Sequence, residues 1–360
     1  MRITFPHMGS SWIAFKMLIE KLGHKPVMPL RPSEKTLSLG SHYAPEFACI
    51  PFKILLGTYL ESLERGAEMI ITSGGMGPCR AGYYGVLHEK ILRDMGYNVD
   101  FVVLEPPQKR AVDFLRKLGK ITSGKSLPAV WEALSTTWQK LRVLDQIEEL
   151  SYETRPRETN KNETTRVMER CYEIIDGAWT KEDIRISRAK CGELLKAIPL
   201  DKSIKPLKVG IIGEIYVVLE PAVNFDIQRL LGDMGVLAHR SIYLADWTKD
   251  NTFFKGEEHI KQAARPYLNE LVGGHGTLSV GNTVLYSKNG YDGVIQLAPF
   301  TCIPEIVSKS ILNRVSKDLD IPVLTLFIDE QTGKAGIKTR LEAFIDLMYS
   351  RRKYRQEAVI

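Results

Sequence analysis

Apolar residues along this chain fall into short runs set between longer stretches where they recur at helical spacing. Residues 1–5 read as a strand. Gly9, Ser10 and Ser11 then introduce a capped amphipathic helix over 12–22 that Gly23 closes, and residues 27–30 read as a second strand. A loop carrying His42 and Tyr43 leads to an amphipathic helix over 54–65, a strand at 69–72, a helix from about 82 to 95 and a strand at 99–104. Between 108 and 198 the period changes. Val112, Leu115 and Leu118, then Trp131, Leu134, Trp138, Leu141 and Leu144, keep helical spacing with no strand among them. After a linker at 199–206 the strand pattern restarts at Lys208. It continues with a helix at 222–234, a strand at 237–244, helices within 256–272 and 280–289, and a strand at 293–297. A helix after Cys302, a strand at 323–328 and a helix at 338–349 complete it.

Strands alternating with helices predict parallel sheets covered on both faces. The expected fold is therefore α/β: two related Rossmann-like parallel-sheet domains with a helical insertion between them. The expected boundaries are 1–107 for the N-terminal α/β domain, 108–205 for the helical insertion and linker, 206–350 for the C-terminal α/β domain and 351–360 for a basic tail. Apolar content of 44% against 26% charged fits a packed soluble protein of this class and not a disordered or fibrous one. The excess of basic over acidic residues is only +6 and is dispersed, except in the tail Arg351-Arg352-Lys353-Tyr354-Arg355, which reads as a solvated end and not as a nucleic-acid grip. Five widely spaced cysteines, an odd number, do not form a disulfide framework. With a strand-like start and no apolar run approaching ~18 residues, the expectation is a cytoplasmic protein with no membrane and no nucleic-acid partner.

Candidate chemistry centres on three of those cysteines. Cys49 and Cys302 share the string Phe-x-Cys-Ile-Pro, and the same interval separates Cys49 from Ile70 as separates Cys302 from Val323. Proline suits the first turn of a helix, so each cysteine is expected just before a helix, facing free N–H groups whose partial positive charge favours a thiolate. Cys79 follows an apolar strand in a glycine-rich turn beside Pro78, where the backbone can approach a bulky ligand closely. The turn after the strand at 323–328, read as the second copy's match to Cys79, carries no cysteine. Together Cys49, Cys79 and Cys302 are expected to converge between the domains on an iron–sulfur cluster, most simply a [4Fe-4S] cluster with one iron lacking a cysteine. Zinc is a weaker rival, because no Cys-x-x-Cys occurs. Cys171 and Cys191, on helices of the middle segment, read as small core residues. Lys53 and Arg80 neighbour the expected ligands and could offset cluster charge or lie on a solvated face. Glu214, Glu305, His42 and Tyr43 are candidates for proton transfer, against a reading in which they cap or pack.

Four segments also resemble a known family. The residues from Cys49 to Glu61, the turn and helix start around Cys79-Arg80-Ala81-Gly82-Tyr83-Tyr84, the run Gly213-Glu214-Ile215-Tyr216, and the stretch Pro299-Phe300-Thr301-Cys302-Ile303-Pro304-Glu305 are similar to subunits of the 2-hydroxyacyl-CoA dehydratases, in particular their acyl-CoA dehydratase activase-related branch. The resemblance runs over both α/β segments and is loose across the helical middle. It implies a cluster held by three cysteines per subunit and pairing with a related dehydratase-like subunit or a second copy. It also implies an ATP-dependent iron–sulfur activase that supplies low-potential electrons, and an acyl-CoA substrate. The wider family includes benzoyl-CoA reductases and double-cubane cluster proteins, so a lyase and a low-potential reductase component are both implied. Three suitably placed cysteines favour a single cubane, since a double cubane normally needs six. The rival from a different class is a non-catalytic electron-relay or scaffold subunit. A further rival is nucleotide binding, because Gly119-Lys120-Ile121-Thr122-Ser123-Gly124-Lys125-Ser126 satisfies the P-loop pattern, although a helix and not a strand is expected before it. The turn at 74–77 could hold a phosphate or dinucleotide but departs from Gly-x-Gly-x-x-Gly.

Overall fold

The structure is a computed structural model, and it describes residues 1–74, 79–105, 111–253 and 256–357. The chain divides into two compact units, one comprising Met1–Gln146, Cys171–Lys190 and Leu244–Lys255, the other Ile147–Arg170, Cys191–Tyr243 and Gly256–Ile360. Helices of the segment 108–205 are distributed between the two.

The first unit begins β1 (Arg2–Thr4), α1 (Trp12–Lys21), β2 (Lys25–Pro26), α2 (Glu34–Tyr43), α3 (Ile50–Glu64), β3 (Met69–Ser73), α4 (Ala81–Asp94) and β4 (Asp100–Leu104). Its sheet is all parallel in the order β2-β1-β3-β4. Ile3, Met69 and Val102 from the strands and Phe5 just past β1 pack with Ile19 and Leu22 of the first crossover to form its core. The second strand lies at Lys25–Pro26 and not at 27–30, because the ladder with β1 runs out. Pro6 beyond β1 and Pro29 beyond β2 lack the N–H groups that a longer pairing needs. His42 and Tyr43, expected in a loop, sit in the last turn of α2. That helix is fixed by a reciprocal cap in which the Thr36 N–H donates to the Ser33 hydroxyl at 3.3 Å and the Ser33 N–H donates to the Thr36 hydroxyl at 3.1 Å.

α3 starts at Ile50, and it is not amphipathic: residues 50–62 are all buried. Two glycines let α2 lie against it. A Cβ on Gly40 would stand 1.7 Å from the Lys53 carbonyl oxygen, and one on Gly57 would stand 1.9 Å from that of Thr36. The polar groups this buries are bonded, Lys53 Nζ to the Glu46 carbonyl at 3.1 Å and the Thr36 hydroxyl to the Glu61 carboxylate at 2.7 Å.

Downstream come α5 (Ala111–Ile121), α6 (Leu127–Thr154), α7 (Glu163–Asp176) and α8 (Lys181–Lys196), and then the elements of the second sheet. These are β5 (Leu207–Gly213), α9 (Ile215–Leu219), α10 (Ile227–Asp233), β6 (Val236–Arg240), α11 (Leu244–Phe253), α12 (Glu258–Ala264), α13 (Gly276–Lys288), β7 (Gly293–Pro299), α14 (Ile303–Asp318), β8 (Val323–Ile328) and α15 (Lys334–Glu357). Of these α11 belongs to the first unit. The second sheet is also all parallel, in the order β6-β5-β7-β8, so both units wind their strands in the same order. A glycine crossing recurs as well, since a Cβ on Gly281 of α13 would lie 2.1 Å from the Ile260 carbonyl oxygen of α12.

Three expected elements are corrected in this unit. The helix expected at 222–234 is broken by Pro221 and by Phe225 and Asp226, both left-handed at φ +60° and +56°, so that α10 begins only at Ile227. The strand expected to reach residue 244 stops at Arg240, and Leu244 opens a helix. The basic tail is solvated at Lys353, Tyr354 and Arg355 but is not a free end. α15 carries it as helix, with Arg352 bonded to Asp292 at 2.5 Å and to the carbonyls of Lys205 and Pro206, while Arg351 and Arg355 both pair with Asp320.

Gly57→Ala should lower stability by about 3 kcal/mol, because backbone faces the new methyl and cannot yield as a side chain would. Urea-unfolding midpoints of the variant and the parent check this.

Candidate functional site

A parallel sheet places the end of every strand, and so the start of every following helix, at one edge. In the first unit that edge carries Cys49 and Cys79. Cys49 is the N-cap of α3 with Pro51 in the second helical position, so its thiol stands at the positive end of that helix. Its side chain accepts no cap hydrogen bond, but its sulfur is in contact with the Tyr84 hydroxyl. Cys79 comes after β3 and just before α4, its carbonyl accepting from the Gly82 N–H at 3.3 Å. Residues 75–78 of the glycine turn lie outside the described residues.

The two cysteine-bearing segments are tied by side chains. Arg80 donates to the Phe47 carbonyl at 2.9 Å, and Tyr84 reaches Cys49. Tyr84 is held edge-on to Phe52, ring centroids 5.1 Å apart, and Phe52 stacks on His88 at 4.0 Å. Burial pushes the His88 pKa down to about 4, so the ring is neutral at pH 7, and its Nε2, 3.0 Å from the Phe52 carbonyl, must carry the proton it shares with that acceptor. Lys53 is neither a solvated residue nor a free cation, being buried in α3 against the Glu46 carbonyl.

In the second unit the N-cap of α14 is Cys302, again with proline at the second helical position and again with no side-chain cap bond. It is reached through Thr301, a β-branched residue held at φ +71°, which stores strain of roughly 1–3 kcal/mol just before the sulfur. The strand order corrects how the two copies correspond. Cys302 lies between the third and fourth strands of its unit, β7 and β8, and so corresponds to Cys79 between β3 and β4, not to Cys49. The counterpart of Cys49 is the N-cap of α13, which is His275. Burial holds His275 down at about 4. The shared Phe-x-Cys-Ile-Pro string is thus a recurrent way of starting a helix, used at two different crossovers.

Glu214 and Glu305 stand at the same edge of this sheet, after the adjacent strands β5 and β7. Glu214 caps α9 by accepting from the Val217 N–H at 3.0 Å, and its own N–H is pinned to the Leu297 carbonyl at 3.1 Å. Glu305 lies in the first turn of α14 and turns inward. It accepts from Gln296 Nε2 at 2.8 Å and from the hydroxyls of Ser279 at 3.1 Å and Ser308 at 3.3 Å, all neutral donors. Gln296 is fixed in turn by the Thr325 hydroxyl at 2.9 Å. Burial pushes both carboxyls up to about 7, opposed at Glu214 by the N–H groups of Val217 and Tyr216 and reinforced there by the charge of Glu305. Together they can hold or release a proton near neutrality.

His42 and Tyr43 are edge-to-face with each other at 4.6 Å at the end of α2. Cys171 and Cys191 are fully buried, and none of the five cysteines forms a disulfide. The P-loop-like string begins inside α5 and ends just before α6, with no strand leading into it, so its N–H groups are not presented as a phosphate cradle. The sequence reading assigned no role to Tyr84 or His275. Tyr84 lies in the cysteine-proximal Gly-Tyr-Tyr-Gly run, and the run Gly273-Gly274-His275-Gly276 marked a close approach, since a Cβ on Gly276 would lie 2.6 Å from the Pro304 carbonyl oxygen.

Among the described residues, no three His, Cys, Asp or Glu side chains gather as a metal-holding group in either unit, and no helix is long and apolar enough to cross a membrane. Compared with protein-family models the chain matches none, and no curated protein proves similar to it.

The sign of the pH dependence follows from the glutamates. A carboxyl raised from 4.5 to about 7 on folding binds its proton more tightly in the folded state. Its contribution is therefore full below about pH 4.5 and is lost as pH rises through 7. For buried Glu305 this is on the order of 3 kcal/mol. Glu305→Gln should flatten the fall in unfolding free energy between pH 5 and 8, as measured by urea titration at both ends.

Proposed function

We propose that the chain is an oxygen-sensitive iron–sulfur protein, with Cys49, Cys79 and Cys302 as thiolate ligands of a [4Fe-4S] cluster. On this reading it is a component of a two-component system like the 2-hydroxyacyl-CoA dehydratases and benzoyl-CoA reductases, and it receives low-potential electrons from an ATP-dependent activase. It pairs with a related subunit or a second copy. The observation that carries the reading is the identity of the caps. Serine, threonine, aspartate and asparagine are the effective N-caps, and Ser33 fills that role by accepting a cap hydrogen bond, as the longer Glu214 also does. Cys49 and Cys302 occupy the same kind of position, followed by the same Ile-Pro pair, and accept none. A side chain kept where it caps poorly, beside N–H groups that favour a thiolate, is explained by sulfur chemistry.

These residues suit the group as donors. The first unit alone contributes two thiolates, so a third ligand has to come from elsewhere, and Cys302 is the other cysteine in a matching environment. When bound, such a cluster supplies one-electron chemistry at low potential. The protein groups set the conditions: helix starts and Arg80 offset negative charge, and Glu214 with Glu305 holds a proton near neutrality for transfer to a substrate. An acyl-CoA thioester is the substrate class on this reading.

Anaerobic purification followed by iron and sulfide analysis and EPR should find one cubane per chain, and Cys302→Ser should lose it. Because serine caps a helix better, the same variant without metal should unfold about 0.5–1 kcal/mol higher than the metal-free parent. Full cluster content in the serine variant, or a parent that binds no iron, overturns the assignment. Adding an acyl-CoA should perturb the EPR signal; a signal that does not respond marks an electron relay instead of an enzyme.

A further inference from the structure

We infer that Tyr84 is the hydrogen-bond donor to the Cys49 sulfur and, through that bond, raises the reduction potential of the cluster. The inference rests on the proposed function for the cluster itself, but the contact stands on the structure alone. Tyr84 lies in the first turn of α4, directly after the Cys79 segment, and its hydroxyl meets the sulfur of Cys49 at the start of α3. A thiolate can only accept, so the phenol is the donor. The ring has little freedom to do otherwise. It is edge-on to Phe52 at 5.1 Å and tilted against His88 at 5.9 Å, and His88 is bonded to the Phe52 carbonyl. One aromatic cluster thus fixes α3, α4 and the direction of the hydroxyl together. A hydrogen bond to a ligating sulfur withdraws electron density from it and stabilises the reduced, more negative state, which moves the potential upward. The bond also selects one sulfur, because it engages Cys49 from within its own unit. Tyr84 acts here as a positioning and tuning residue, not as a catalytic one.

Tyr84→Phe keeps the ring and its packing and removes only the donor. In an EPR-monitored redox titration of the anaerobically purified chain, the variant should titrate at a lower potential than the parent. An exchangeable proton coupled to the cluster by ENDOR should disappear from the variant, while its thermal midpoint without metal stays within error. Loss of the cluster from a folded variant overturns the tuning role, since the hydroxyl would then hold the sulfur in place and not set its potential. Site-specific 3-fluorotyrosine at position 84 is a second test that preserves the shape. Its more acidic hydroxyl should shift the potential upward, opposite to phenylalanine. A parent without iron overturns both this inference and the proposed function. A parent with its cluster, together with an unchanged potential and an unchanged exchangeable-proton coupling in Tyr84→Phe, overturns the inference alone.

Discussion

Parallel pairing of strands is the constraint from which the rest follows. Because each crossover must return the chain to the same end before the next strand begins, every strand-to-helix junction in a unit falls on one edge. Residues distant in sequence are thereby brought to one edge of the sheet. Cys49 and Cys79 share an edge for that reason, and so do Glu214, His275 and Cys302. What differs between the units is the chemistry placed on a common frame. The first sets sulfur and aromatic rings at its edge, whereas the second sets one sulfur among carboxyls and an imidazole.

Close helix pairs hold that frame in register. α3 is buried over residues 50–62, which is possible only because α2 approaches it on glycine and because the polar groups caught between them are bonded. A helix so enclosed cannot slide, and the cap that begins it is fixed with it. The second unit repeats the device with Gly281 and the Ile260 carbonyl. The positions of Cys49 and His275 are in this sense consequences of packing one or two turns further along.

Strand alternation was legible in the sequence, because β3, β5, β7 and β8 are largely apolar runs long enough to stand out, and β8 was found at both of its ends. The two-residue β2 was misplaced, since its limit is set by prolines on two different segments. α2 was missed because its cap is a Ser-x-x-Thr box, without the acidic third residue that usually signals one. The tail showed a cluster of arginines but not their acceptors, Asp292 and Asp320, which lie far upstream. At the candidate site the sequence indicated that cysteines begin helices. It could not indicate which crossover each helix makes, because a helix start is a local event and strand order is a global one. Tyr84 was unreadable for a related reason: its role depends on a partner supplied by another helix.

The correspondence set by strand order changes the meaning of the repeated string. Had Cys49 and Cys302 been equivalent positions, their likeness would follow from duplication of one structural unit and would carry little chemical weight. They stand at different crossovers, so common position within the fold does not explain it. Two unrelated junctions have the same solution, cysteine at the cap and proline in the second helical position, where serine or aspartate would bind the helix end more firmly. The feature the two junctions have in common is a sulfur at the positive end of a helix whose second residue has no N–H to give.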